Sequence, residues 1–370
     1  MSSTIHSALS NLSSRAFSSI PTTALTLLIG FVSFSMMKSL FRSSRFNPAG
    51  KHCYIGGGSE GLGLSLACQL AERGANISIV SRSQGKLDKA LEEIEAHRQN
   101  DQQIFKAYSC DLTDSASAAT TLRTACKAIP SSSSSSSSSD SSSSTYSLAA
   151  PDYVFACAGG CVPGMFDKVS SEKHWECMEW NYRSCLNTIH EAIVLMKEQG
   201  NGNGGKGGKV VLTSSVLGLM SFAGYSTYSP SKYAIRGLAE SLRNELILYG
   251  IDVHLFLPAT IFSPGFENEQ KLKPEITKKI EGPDEGLTPD QVARELIKGL
   301  ERNDFYITYE PVGNMFRNSR GITPRNNFLI DSFWSLVGTI ALPIWGWMSA
   351  DGEVRKEAKR FAKEARGSRK

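Results

Sequence analysis

Short apolar runs and longer amphipathic stretches alternate through the middle of the chain. The spacing predicts strand Cys53 to Ile55 then a helix from Leu62, strand Asn76 to Val80 then a helix from Gln84, and strand Ile104 to Ser109 then a helix from Asp114. The pattern continues with strand Tyr153 to Ala156, a helix through Asn181 to Lys197, strand Val210 to Thr213 and helix Tyr228 to Tyr249. It closes with strand Asp252 to Phe256, helix Pro289 to Glu301 and strand Phe305 to Thr308. Strands that alternate with helices build a parallel sheet covered on both faces, so the fold class is α/β: a doubly wound, Rossmann-type sheet in a single catalytic domain over residues 50–310.

Two inserts break the pattern, a serine-rich stretch at 131–145 and a glycine-rich stretch at 200–208. Neither can bury apolar surface, so both read as surface loops.

The ends differ in character. After a tail at 1–23, residues 24–41 read as a membrane anchor, because Ala16 to Met37 carries no charge and Ala24 to Met37 is dense in large apolar residues. A cleaved signal peptide fits less well: only Arg15 precedes the apolar stretch, no clean small-residue cleavage site follows it, and Lys38, Arg42 and Arg45 come directly after. That basic flank stays on the cytoplasmic side, which turns the domain behind it toward the cytosol. Residues 328–350 form a second hydrophobic, membrane-associated segment, with Ser332 to Ala350 uncharged and Pro343 in its interior. A span, an interfacial helix and a buried core helix all fit that length. A charged tail fills 351–370.

The net charge of +4 over 370 residues is small, and much of it lies near the two ends. Nucleic acid is therefore not the expected partner, and a membrane surface is. The eight cysteines are scattered through patterned segments, with no disulfide framework and no cluster of metal ligands. They read as reduced residues of a cytosol-facing domain, and no metal site is expected.

The first strand runs into Gly56-Gly57-Gly58-Ser59-Glu60-Gly61-Leu62-Gly63. Such a turn can bring backbone N–H groups and a helix N-terminus against a pyrophosphate, although a glycine-rich turn by itself need bind nothing. Its place after the first strand selects Gly57, Ser59, Glu60, Gly61 and Gly63 as cofactor-binding residues. The second strand ends in Ser81-Arg82-Ser83, with no carboxylate for a ribose hydroxyl. Arg82 and Lys86 offer charge to a 2′-phosphate there, which favours NADPH over NADH; the plainer alternative is a solvated basic pair. Asp111, after the third strand, is placed to accept from an adenine amino group.

Tyr228 and Lys232 stand four residues apart, one turn along a helix. An ammonium beside a phenol stabilises the phenolate, which brings the phenol pKa closer to working range. Thirteen residues before Tyr228 lies Ser215, with Ser214 beside it, and a hydroxyl there can donate to a substrate carbonyl. Sequence alone leaves open which serine does so. Asn181 begins a long helix, where it is a cap, a helix-distorting polar residue or a site residue. Tyr225 and Tyr233 lack a lysine four residues on and read as packing or pocket-lining.

On these motifs the segment from Lys51 to about Thr308 resembles the short-chain dehydrogenase/reductase family. The resemblance implies that Tyr228 gives the proton to a ketone, that Lys232 binds the nicotinamide ribose and tunes Tyr228, and that Ser215 polarises the carbonyl. It also implies that Asn181 holds a water in the proton relay. The family often has Thr where Gly56 stands and Asn where Ala156 stands, so a locally different brace is expected below the cofactor. A narrower resemblance rests on Leu257-Pro258-Ala259-Thr260-Ile261-Phe262-Ser263-Pro264-Gly265-Phe266-Glu267-Asn268-Glu269 with Lys273-Pro274-Glu275. That string is similar to the substrate loop of the 3-ketodihydrosphingosine reductases. It implies a long-chain keto-lipid substrate and the endoplasmic reticulum membrane, with the catalytic domain on the cytosolic side. The rival substrates are steroid, retinoid or fatty-acyl carbonyls, and the rival class is a scaffold or nucleotide sensor without turnover. Oligomeric state, including a homo-oligomer, is left open.

Overall fold

A computed structural model describes residues 46–129, 148–200, 207–283, 285–317, 328–345, 347–348 and 351–367. The chain divides into Met1–Arg45 and Phe46–Lys370, and everything below concerns the second unit. The expected anchor at 24–41, the serine-rich insert and residues 201–206 of the glycine-rich insert lie outside the described residues.

Seven parallel strands form one sheet: β1 His52–Gly56, β2 Asn76–Ser81, β3 Phe105–Ser109, β4 Tyr153–Ala156, β5 Lys209–Thr213, β6 Asp252–Phe256 and β7 Tyr306–Ile307. Their order is β3-β2-β1-β4-β5-β6-β7, so the winding reverses between β1 and β4. Ligands of such sheets bind at the carboxyl ends of the strands at that reversal. Register is pinned at the same place, with Gly56 opposite both Val80 and Ala156.

The strands are apolar because both faces are covered. One core layer joins Tyr54, Val154, Val210 and Leu255 to Leu122, Ile189 and Ile235, and the other joins Ile55, Ile77, Ile79 and Phe155 to Leu66, Leu70, Leu296 and Ile297. Each such fully buried side chain contributes about 1.5–3 kcal/mol. The covering helices are α1 Gly61–Ala71, α2 Gln84–Ala96, α3 Ser115–Ala128, α4 Ser171–Met178, α5 Ser184–Gly200, α6 Tyr228–Glu245, α7 Pro264–Leu272, α8 Glu275–Glu281 and α9 Pro289–Glu301. Phe46 packs on Tyr153 with ring centroids 5.0 Å apart, which brings the edge of the packed unit just ahead of residue 50.

Two differences from the sequence reading concern helices. The helix expected from Asn181 starts at Ser171, and Glu179–Arg183 is a π-helical turn between α4 and α5 with Asn181 inside it. The charged tail is itself helical, with Asp351–Gly367 (α12, after α10 Pro311–Arg317 and α11 Phe328–Trp345) held by Asp351, whose carboxylate accepts from Arg243 at 2.6 Å and Asn244 at 2.8 Å. Among the described residues no helix is long and apolar enough to cross a membrane. Nor is α11 a core helix: Leu336, Ile340 and Ile344 lie exposed along it at one-turn spacing.

Candidate active site

Between β1 and α1 the chain turns through Gly57, whose φ of +83° suits glycine; a Cβ there would lie 2.5 Å from Ala158 N. Gly63 is held to glycine by approach alone, since its Cβ would sit 2.1 Å from the Gly57 carbonyl oxygen. Both constraints bring backbone to backbone where a side chain would fill the turn. No side chain caps the N-terminus of α1, which leaves its first N–H groups open to an anion. Ser59 donates to Ser81 at 2.8 Å, tying the loop to the end of β2.

A cleft of about 370 Å³ opens over this turn, lined by Gly57, Ser59, Glu60, Gly61 and Gly63 on one side and by Arg82, Asp111 and Cys157–Gly160 on the other. Its size is that of a small-molecule site. Arg82 is exposed, and among the described residues its guanidinium has no hydrogen-bond or ion-pair partner. Asp111 Oδ1 accepts from Thr113 N at 2.9 Å and Thr113 Oγ1 at 2.8 Å, which fixes the carboxylate at the cleft wall. Lys86 does not line the cleft. Its ammonium pairs with Glu60 at 2.7 Å, because the first turn of α2 overhangs the glycine loop, so these two expected cofactor residues bind each other at the rim. An uncapped helix end, closely approached glycines and a free guanidinium at the end of β2 fit the phosphates of a dinucleotide.

The space that a side chain on Gly56 would need is filled from α5, with Thr188 Oγ1 2.8 Å from the Cβ position.

At the inner end of the cleft Asn181 is fully buried in the π-turn. Its Nδ2 donates to Gly160 O at 2.8 Å and Cys177 O at 2.9 Å, and its Oδ1 accepts from Gly160 N at 3.2 Å. The side-chain amide thus holds the β4–α4 loop. Gly159 passes between Asn181 and Lys232: a Cβ there would lie 2.5 Å from Asn181 Oδ1 and 3.5 Å from Lys232 Nζ.

Lys232 is buried and donates from Nζ to the Thr213 carbonyl at 3.2 Å, with its Nζ 5.3 Å from the centre of the Tyr228 ring. The two serines part company here. Ser214 Oγ donates to Lys232 O at 2.8 Å and faces α6, whereas Ser215 accepts from Leu217 N at 3.1 Å and is near enough to the Tyr228 phenol to oppose the rise in its pKa. Ser214 therefore positions and Ser215 faces the site, because extended backbone at the end of β5 sends successive side chains to opposite sides.

Burial pushes the Tyr228 phenol well above its ordinary value near 10, with Cys161 and Glu269 adding to the rise and Ser215 opposing it. Burial also lowers Lys232, since an enclosed ammonium loses its hydration. A phenol shifted in that direction keeps its proton at neutral pH and stands as a neutral acid.

Sequence reasoning passed over Trp180 and Ser184, which line the cleft together with Ser263–Gly265 of the expected substrate loop. Ser263–Gly265 had a visible signal in the Pro-Gly after β6; Trp180 and Ser184 face the cleft only because of the π-turn.

Residues 51–131 and 145–273 match the family model of the short chain dehydrogenases. The chain is 39% identical over 339 residues to a 3-ketodihydrosphingosine reductase of Cryptococcus neoformans, covering 91% of this chain and 94% of that protein. It is 33% identical over 362 residues to the 3-ketodihydrosphingosine reductase of Aspergillus fumigatus, covering 90% of each. A short-chain dehydrogenase/reductase from Burkholderia phymatum, solved in complex with NAD, superposes with a TM-score of 0.59 at 19% identity, over 74% of this chain and 93% of that one.

Proposed function

The chain belongs to the short-chain dehydrogenase family, and on that premise we propose that it reduces the C3 ketone of 3-ketodihydrosphingosine to dihydrosphingosine with NADPH. The observation that carries this reading is the placing of Tyr228, Lys232 and Ser215 together at the end of β5 and the start of α6, in a chain with a glycine-lined cleft and reductase relatives over nine-tenths of its length.

A bound reduced nicotinamide supplies the hydride. The chain's own residues do the rest. Tyr228, kept neutral by burial, gives the proton to the ketone oxygen as negative charge develops on it. Ser215 donates a second hydrogen bond to the same oxygen and lowers the cost of that charge. Lys232 holds its place through Thr213 and binds a ribose hydroxyl, while Asn181 fixes Gly160 at the cleft's inner end. Gly57, Ser59, Gly61 and Gly63 hold the pyrophosphate, Asp111 the adenine, and Arg82 the 2′-phosphate. Glu60 and Lys86 brace the rim.

The same reading puts the enzyme at the endoplasmic reticulum membrane with this domain on the cytosolic side. Its support is the uncharged stretch Ala16 to Met37 with its basic flank. Exposed Phe166, Trp175, Ile276 and Ile280, together with the stripe on α11, add apolar surface suited to a substrate with a long alkyl chain.

The test is cofactor oxidation by purified protein in mixed micelles. NADPH should be consumed with 3-ketodihydrosphingosine, and more slowly with NADH or with steroid, retinoid and fatty-acyl ketones. Turnover confined to the neutral carbonyls, or none at all, would defeat the proposal.

A further inference from the structure

Next to Tyr228 lies a partly buried group of charges that the reaction chemistry does not use. Tyr225, itself buried, reaches Glu269 at 2.8 Å and Glu281 at 2.6 Å through its hydroxyl. Lys273, with 3% of its side chain exposed, lies between the same two carboxylates at 3.2 Å from Glu269 and 2.7 Å from Glu281. One phenol proton cannot satisfy two carboxylates, and one ammonium cannot neutralise both. The group is therefore one positive charge short, with Tyr225 and Lys273 buried and the two carboxylates open in part to solvent.

Its position matters as much as its charge. The Tyr225 ring is 6.2 Å from the Tyr228 ring, centroid to centroid. Glu269 sits on α7, whose first residues line the cleft, and its charge is felt at the Tyr228 phenol. Glu281 closes α8, which Thr277 clamps to the turn before α6 by donating to Ala223 O at 3.0 Å. The carboxylates keep 19% and 25% of their side chains exposed, so an additional cation can reach them.

Resting on the function proposed above, we infer that Glu269, with Glu281 beside it, accepts the ammonium of the substrate and so selects amino ketones over neutral ketones. The substrate's amino group is on the carbon next to the ketone, so a cation there lies close to the oxygen that Tyr228 protonates. A monocation supplies the one charge the group lacks. Steroid, retinoid and fatty-acyl carbonyls bring none, so an uncharged ketone bound at Tyr228 leaves the deficit in place. Lys273 sets the size of the deficit; without it the carboxylates would repel each other and α7 would part from α8.

The experiment compares two ketones of equal chain length, 3-ketodihydrosphingosine and its analogue lacking the amine, in wild type, Glu269→Gln and Glu269→Asp. The ratio of kcat/KM for the amino ketone to that for the neutral ketone should fall about tenfold or more in Glu269→Gln and recover in part in Glu269→Asp. A purely structural role would lower both rates together and leave the ratio unchanged, which would overturn the inference. Should Glu269→Gln fail to fold, wild type still decides: a long-chain primary amine should inhibit about tenfold more strongly than the alcohol of equal length, and equal inhibition would overturn the inference. Wild type that reduces the amino ketone without these preferences sinks this inference alone. Wild type that reduces neither ketone sinks the proposed function with it.

Discussion

Lys232 and Ser214 are joined by crossed bonds: Lys232 Nζ donates to the carbonyl just before Ser214, and Ser214 Oγ donates to the carbonyl of Lys232. The end of β5 and the first turns of α6 are thereby locked together, and Ser215 is delivered to Tyr228 as the next residue along. Adjacent serines should accordingly respond in different ways. Ser214→Ala removes a buried hydrogen bond while the Lys232 carbonyl keeps its helical N–H partner, so it should cost about 0.5–1.5 kcal/mol of stability with a smaller loss of rate. Ser215→Ala should leave the melting temperature within a few degrees of wild type and lower kcat by about 100-fold. Thermal melts and NADPH consumption on the two variants check this. The reverse pattern would exchange their roles.

Tyr228→Phe removes the acid and keeps the ring. Burial holds this phenol neutral, so the variant loses a proton donor without leaving a charge behind. Reduction should fall about 10²–10⁴-fold, the usual contribution of a placed acid, while NADPH binding followed by fluorescence stays close to wild type. Turnover that survives would mean that another group supplies the proton.

Arg82 carries the cofactor preference. Its guanidinium faces the cleft without a described partner, whereas Lys86 is engaged by Glu60. Arg82→Ala should raise KM for NADPH about 10- to 100-fold and leave KM for NADH nearly unchanged, because only the 2′-phosphate is lost as a partner. Lys86→Ala should do far less. Equal effects on both cofactors would mean that Arg82 reads the shared pyrophosphate instead.

These contrasts show what the sequence could carry. The strands were legible because both faces of the sheet are buried, which makes Val154 to Ala156 or Val210 to Leu212 apolar without interruption. Tyr228 and Lys232 were legible because helical periodicity alone places them together. The pairing of Lys86 with Glu60 is not legible because the two lie 26 residues apart and only the overhang of α2 joins them. Asn181 looked like a helix start because a π-turn depends on what its side chain meets across space, here Gly160. The charge-deficient group needs Tyr225, 44 residues before Glu269, and its placement depends on α7 and α8 closing over the turn before α6.

Two buried histidines set the acid limit of the fold. His52 lies inside β1, with Nε2 2.9 Å from Ser78 Oγ and Nδ1 unpartnered, and burial lowers it from 6.5 to about 3. His254 lies inside β6 and is lowered from 6.5 to about 4, again by burial. Its Nδ1 sits 2.7 Å from the Asp304 carbonyl, which can only accept, so Nδ1 carries the proton and a second proton would fall on the unpartnered Nε2. Both native pKa values are below those of the unfolded chain, so both residues contribute stability that is complete above about 6.5 and is lost as pH falls toward their native values. Between about pH 6.5 and 5, before most carboxylates titrate, the loss should approach about 1.4 kcal/mol per pH unit for each histidine. Chemical denaturation across that window should show the decline, and a His52→Gln, His254→Gln double variant should flatten it even if it starts from a lower stability. An equal slope in the double variant would mean that other groups set the acid limit.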